Sequence, residues 1–308
     1  MGKILTVTAN PAMDRVYFVD EFKMGEVHRP IKVAVSAGGK GINVSRVSKM
    51  LGAEVMATGF VGGNVGEFIT SEMQKIGVED RFVRIAGETR ICVNFSDKNG
   101  VSGEMLERGP VISPKEEKDF IKLFSEVVKE CSIVTVSGSL PDGLTSDFYR
   151  SIGEVARVNN KKVIFDTSGK LLEDIIKTNP YMVKPNRDEF ANLSGSDKFE
   201  PVKALQWMKD LGVEIPFISL GGEGAVAMID DKCYQFTIPD VKVVNSVGSG
   251  DSSVAGVATG ICRGMSICDS IRLGMASGVS NTQFEETGNI SKEHVKEFYE
   301  KITIKCIS

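Results

Sequence analysis

Short apolar runs alternate with amphipathic stretches along nearly all of this 308-residue chain. Strand-like runs fall at Ile4–Thr8, Val55–Phe60, Ile133–Ser137, Lys162–Asp166, Met182–Lys184, Phe217–Leu220 and Val226–Ile229. Helical patterns separate them at Gly41–Leu51, Val65–Ile76, Pro114–Glu130, Ser146–Asn159, Leu171–Lys177, Asn186–Leu193 and Val202–Leu211. Strands that are short, β-branched and apolar on both sides, with helices between them, belong in a parallel sheet covered on both faces. The expected class is therefore α/β, a doubly wound, mostly parallel central sheet with helices on both faces.

One region breaks the alternation. Arg15–Phe22, Pro30–Ser36, Arg81–Ile85, Thr89–Ser96 and Val101–Glu107 read as strands, with no helix among the last three. Asp97-Lys98-Asn99-Gly100 is a hairpin turn. These strands cannot all join the central sheet, so a small β flap is expected from two insertions, roughly 12–36 and 81–108. Flaps of this kind often close over substrates. The expected organisation is one domain over 1–308 that carries this flap, and the flap leaves open a homodimer by pairing with a second copy.

Charge excludes several function classes. A net charge of −4 argues against a general nucleic-acid binder, which needs clustered Lys and Arg. No apolar run approaches the roughly 18 residues of a membrane span, and Lys3–Thr8 reads as a strand rather than a signal peptide. Met1–Thr6 fits the loose myristoylation pattern, but Gly2 abuts that strand. The six cysteines are scattered without a C-x-x-C pair, and two histidines make no zinc pattern. Reduced thiols in a cytoplasmic protein are expected.

The ends of the core strands carry small residues: Thr8-Ala9-Asn10, Gly62-Gly63, Ser137-Gly138-Ser139, Asp166-Thr167-Ser168-Gly169, Lys184-Pro185-Asn186 and Ser219-Leu220-Gly221-Gly222. Ligands of open α/β sheets bind beyond those carboxyl ends. Asn245–Gly256 belongs on the same rim. There a β-like run, Asp240–Val244, leads into Val247-Gly248-Ser249-Gly250-Asp251 and then into small residues that can form a buried helix. Glycines at a strand-to-helix turn aim N–H groups at one spot, and the helix start adds free donors and positive potential. That is an anion site, most often for phosphate. Asp251 works against an anion there unless it caps the helix or accepts a proton; this stretch leaves both open. A Walker loop and a dinucleotide fingerprint both fail on spacing.

Other candidates carry two readings each. Ala37-Gly38-Gly39-Lys40-Gly41-Ile42-Asn43 joins a flap strand to a helix; its glycines admit a ligand closely, Lys40 can meet phosphate and Asn43 a hydroxyl, or the loop simply holds a solvated lysine and a cap. Asp14 can accept two sugar hydroxyls or serve a turn. Arg90 can grip phosphate through two N–H groups, or lie solvated on an exposed strand face. Asn186 and Glu189, at i and i+3, can hold the waters of a Mg²⁺ ion, although a capping box is the favoured account of the pair. His28 and His294 lie far from any nucleophile-like turn, so a Ser/His/Asp triad is excluded.

Taken together, these motifs resemble the ribokinase/PfkB carbohydrate kinase family over nearly the whole chain. Gly38-Gly39-Lys40-Gly41-Ile42-Asn43 is similar to its N-terminal signature, Val247–Asp251 to its C-terminal one, and Lys184-Pro185-Asn186-x-x-Glu189 to its Asn-x-x-Glu motif. Thr8-Ala9-Asn10-Pro11-x-x-Asp14, Gly87-Glu88-Thr89-Arg90, Ser137–Pro141 and Ser219-Leu220-Gly221 resemble the branch of 1-phosphofructokinases and tagatose-6-phosphate kinases. One departure is Ser249, where the family usually has alanine. A small residue suits a loop that works through backbone N–H groups.

The resemblance implies ATP and Mg²⁺, with a phosphorylated ketohexose as acceptor. Asp251 would be the general base, and the N–H groups of Gly248, Ser249 and Gly250 would stabilise the transferred phosphoryl group. Asp14 and Asn43 would orient sugar hydroxyls, while Gly38, Gly39, Lys40, Arg90 and Ser139 would surround the sugar and its phosphate. Lys184, Asn186, Ser219, Gly221, Gly222, Gly224, Val247 and Asn281 would border ATP, whose adenine is expected near Ser219–Gly224 and the Ser277–Asn281 helix. Glu189 and Asn186 would hold Mg²⁺ through water. Fructose 1-phosphate is the expected acceptor and tagatose 6-phosphate the alternative. A kinase of an unphosphorylated substrate would leave Lys40 and Arg90 nothing to neutralise, and a non-catalytic sensor would have no use for Asp251.

Overall fold

The computed structural model describes residues 2–99, 101–196 and 198–308. Strands are β1 (Lys3–Thr8), β2 (Ala12–Val19), β3 (Lys32–Gly38), β4 (Glu54–Val61), β5 (Glu79–Asp80), β6 (Val83–Arg84), β7 (Arg90–Asp97), β8 (Ser102–Leu106), β9 (Cys131–Ser137), β10 (Lys162–Asp166), β11 (Met182–Val183), β12 (Ile215–Ser219), β13 (Ala225–Ile229), β14 (Lys232–Thr237) and β15 (Thr303–Cys306). Helices are α1 (Lys40–Met50), α2 (Gly63–Lys75), α3 (Pro114–Val127), α4 (Ser146–Val158), α5 (Gly169–Ile175), α6 (Arg187–Ser194), α7 (Pro201–Asp210), α8 (Ser249–Cys262), α9 (Ile267–Asn281) and α10 (Lys292–Lys301).

The central sheet runs β15-β14-β13-β12-β11-β10-β9-β1-β4-β5, with β6 also on β4. Pairing is parallel from β12 through β5, and antiparallel from β12 outward to β15. The strand period of two sends alternate side chains to opposite faces. Ile4, Val55, Ala57 and Ile133 pack into one apolar layer with α1, α2, α8 and α9. Leu5, Met56, Phe60, Val134 and Val136 pack into the other with α3, α4 and α7. Strand order reverses at β1, which lies between β4 and β9, and a crevice opens at such a switch point.

The flap is a separate four-stranded sheet, β3-β2-β7-β8. It differs from expectation at one boundary. Val83–Arg84 pairs with Phe60 and Val61 of β4, and Phe82 and Ile85 are buried against the main body. Burying those two side chains holds this segment on the central sheet, so the second flap segment starts at Arg90. The β7–β8 hairpin is present, although Gly100 of its turn lies outside the described residues.

Two further differences lie near the C-terminal half. Asp240–Val244 is not a strand: it pairs with no strand among the described residues, and the Val244 N–H instead donates to Thr282 O at 2.8 Å. Lys232–Thr237 and Thr303–Cys306, not expected as strands, form the antiparallel edge. No helix among the described residues is long and apolar enough to cross a membrane.

Candidate active site

The turn before α8 is built on Gly248, whose φ of 82° is left-handed. A Cβ there would also press on Thr287 Cγ2 at 2.5 Å. The Ser249 N–H is occupied by Ser246 O at 3.2 Å. Among the described residues, the N–H groups of Gly248, Gly250 and Asp251 meet no acceptor, which leaves them available to an anion. Small residues in α8 and α9 let the two helices pack closely: a Cβ on Gly256 would sit 2.6 Å from Gly274 Cα.

Asp251 does not cap its helix. Its carboxylate is buried and accepts a hydrogen bond from Asn43 Nδ2 at 2.8 Å. Burial pushes the carboxyl up to about 7, and the Asp166 charge adds to this; Asn43, Lys40 and Lys184 oppose it. A carboxylate poised near neutrality suits a general base.

Asp166, at the end of β10, was not singled out by sequence. It forms an ion pair with Lys184 at 3.3 Å, both side chains almost fully buried. Lys184 also lies under the anion turn, with Nζ 3.4 Å from where a Gly250 Cβ would be. Lys40 is held protonated chiefly by Asp166, then by Asp251 and Glu189. Its ammonium therefore lies within the field of Asp166, Asp251 and Glu189 as well as lining the cavity.

The flap supplies the other end. Ala12, Asp14, Arg90, Cys92, Asn94, Glu104 and Leu106 all line the cavity, as the period of two and the pairing of Asp14 with Cys92 dictate. Gly38 pairs with Ala12 but does not line the cavity; it leaves room for the Asp14 carboxylate, which any Cβ there would overlap. Burial raises the Asp14 carboxyl to about 6 against the pull of Arg90 and Arg46. Arg90 is half-buried and donates to Glu107 O at 2.8 Å and Asn10 O at 3.0 Å, with Nε left unpartnered.

The whole cavity is about 830 Å³. Of the sequence-derived candidates, all but Gly38 and Asn281 line it. Asn281 is fully buried behind the anion turn, donating to Val247 O at 2.9 Å and accepting from Ser252 Oγ and the Gly288 N–H. Its amide holds that turn rather than facing a ligand, because two of its bonds are needed to satisfy loop backbone groups that have no helix or strand partner. Ser277 is likewise buried; Gly278, Val279 and Thr282 form that wall, facing Ile238, Val241 and Val243. Thr8, Asn10, Asn94 and Ser137 line the cavity, and each has a buried side-chain oxygen without a hydrogen-bond partner.

Asn186 and Glu189 do form the capping box, with Asn186 Oδ1 accepting from the Glu189 N–H and Glu189 Oε2 from the Asn186 N–H, both at 2.8 Å. Glu189 Oε1 takes no hydrogen bond among the described residues, and Glu189 lines the cavity. No group of three or more His, Cys, Asp or Glu among the described residues could hold a metal ion. Glu189 and Asn186 offer hard oxygen donors of the kind Mg²⁺ takes alongside waters and phosphates.

Comparison with known proteins agrees with this geometry. Residues 4–294 match the pfkB family of carbohydrate kinases. The chain belongs to that family. It is therefore a phosphotransferase with a sugar alcohol group as acceptor, and the pfkB family implies ATP as cosubstrate and a divalent metal. It is 36% identical to a tagatose-6-phosphate kinase of Staphylococcus epidermidis over 98% of this chain and 99% of the relative. Phosphofructokinase-2 from Escherichia coli superposes with a TM-score of 0.90 at 26% identity, covering 98% of this pfkB kinase and 99% of that chain. A Thermotoga maritima protein described as a possible 1-phosphofructokinase gives 0.88 at 28% identity, over 99% and 100% of the two chains.

Proposed function

We propose that this pfkB kinase transfers the γ-phosphoryl group of ATP to the free primary hydroxyl of a ketohexose monophosphate, releasing ADP, the bisphosphate and a proton. One observation carries the reading. Asp251 lines one cavity together with Asp14 and Arg90 of the flap and with apolar Val241, Val243 and Val279. Arg90 and Lys40 suit an acceptor that already bears phosphate, and the apolar wall suits an adenine ring.

Asp251 takes the hydroxyl proton as the oxygen attacks. The N–H groups of Gly248 and Gly250, with Lys40 and Lys184, stabilise the charge that builds on the transferred group. Asp14 and Asn43 orient sugar hydroxyls, and Ser139 adds a hydroxyl to the acceptor end. Glu189 and Asn186 would hold Mg²⁺ through water, which supplies neutralisation of the triphosphate. We take fructose 1-phosphate, giving fructose 1,6-bisphosphate, as the acceptor. The Staphylococcus epidermidis relative supports a second reading, tagatose 6-phosphate giving the 1,6-bisphosphate.

A coupled ADP-release assay comparing fructose 1-phosphate, tagatose 6-phosphate and fructose 6-phosphate tests the proposal. The highest kcat/KM is expected with one of the first two. ADP release that no phosphorylated ketohexose accelerates would refute it. We also place the protein in the cytoplasm as a homodimer joined through the outer flap face, where Val33 and Val35 are about half exposed; a monomer by sedimentation would refute the pairing.

A further inference from the structure

Arg46 lies on α1 one turn beyond Asn43. Its Nη1 donates to Asn43 Oδ1 and to Thr287 O, each at 3.1 Å, and its Nη2 to Ala37 O at 2.5 Å. The three acceptors come from α1, from the loop after α9, and from the end of β3 where the flap joins the body.

The bond to Asn43 settles which way that amide faces. A guanidinium has donors only, so the Asn43 oxygen must point to Arg46 and its NH₂ to the Asp251 carboxylate. Turned over, the amide would set donors against Arg46 and an acceptor against Asp251. Gly288 closes over this pair: with φ of 68°, its Cβ would lie 3.0 Å from both Arg46 Nη1 and Asn43 Oδ1.

We infer that Arg46 is a positioning residue for phosphoryl transfer, orienting the Asn43 amide onto Asp251 and tying the flap's junction at Ala37 to the base. The inference rests on the reading of Asp251 as that base. The groups facing Asp251 are Lys40 and Asn43 of α1, Asp166 of β10 and Lys184 after β11. Asn43 holds the Asp251 carboxyl down, so freeing its amide lets the carboxyl rise. Asp14 also feels the Arg46 charge from the flap side.

The test uses purified Arg46→Met and Arg46→Lys, with carbon-13 NMR titration of the Asp251 carboxyl and the pH profile of kcat. In Arg46→Met the midpoint is expected to rise by about half to one pH unit, the equivalent of roughly 1 kcal/mol of hydrogen bond. The acid limb of kcat moves with it, while KM for ATP stays within about twofold, as expected for an interaction felt at the reacting centre. Arg46→Lys keeps the charge without the fork and should fall between. If the Met variant does not fold, the Lys variant carries the same two readouts.

A folded variant whose Asp251 midpoint and acid limb both stay in place, whatever its melting temperature, overturns the inference and leaves Arg46 a staple between loop and helix. The carboxyl titration needs no turnover. A wild type lacking sugar-dependent ADP release would therefore sink the kinase reading separately.

Discussion

Replacing Asp251 by asparagine is expected to make the protein more stable while abolishing most of its activity. The carboxyl titrates near 7 in the folded chain, against 3.8 as the ordinary value. Below pH 4 both folded and unfolded states are protonated and the carboxyl costs nothing. As pH rises, the unfolded carboxylate ionises first, so the folded state loses ground until the folded group ionises near 7; above that the full cost is present. A shift of about 3 units is worth at most about 4 kcal/mol. Asparagine never ionises, keeps the shape, and its oxygen still accepts from Asn43. Asp166 remains to neutralise Lys184.

At pH 8 the Asp251→Asn protein without ligands should therefore melt several degrees above wild type, given roughly 2 °C per kcal/mol for a chain of this size. The gap should shrink steadily toward pH 5. Thermal melts by circular dichroism at four or more pH values measure it. In the same preparation kcat should fall by about 10²–10⁴, the usual contribution of a general base. A variant that melts at or below wild type at pH 8, or a gap independent of pH, would refute the argument that this carboxylate is kept at a cost to stability for its chemistry.

Arg90→Ala should raise KM for the phosphorylated sugar by about ten- to a hundredfold, the loss of a charge-assisted pair of hydrogen bonds, with KM for ATP little changed; equal effects on both would put Arg90 elsewhere. Gly248→Ala meets both a left-handed backbone and Thr287, so a stability loss of about 1–3 kcal/mol and a lower kcat are expected from melts and kinetics on one sample. Ser249→Ala should stay within about threefold of wild type, because alanine is as small as serine and leaves the backbone N–H groups of the turn unchanged; a large loss would give that hydroxyl a role.

Local signals in the chain were enough for much of this molecule. Strand and helix alternation, with both faces of each strand apolar, points to a mostly parallel sheet covered on both sides, which buries Ile4 and Leu5 at once. The glycines of Gly248–Gly250 and the strand-end polar residues mark the anion turn, because backbone geometry and small size are written in residue type. Partner choice is not. Asp240–Val244 has a strand's pattern but no strand beside it, and Arg81–Ile85 goes to the main sheet because Phe82 and Ile85 find burial there.

The site divides along the same line. Residue types announced Asp251, Asn43, Lys40 and Arg90 as candidates. Folding chose their roles by bringing together groups far apart in sequence: Asn43 onto Asp251 across 208 positions, Asp166 onto Lys184, and Arg46 onto Thr287. Sequence left Asp251 divided between helix cap and proton acceptor. Its hydrogen bond to Asn43 and its burial beside Asp166 remove it from the cap and raise its affinity for a proton, since the energy of an ionised group depends on the charges and water around it, which the chain alone does not specify.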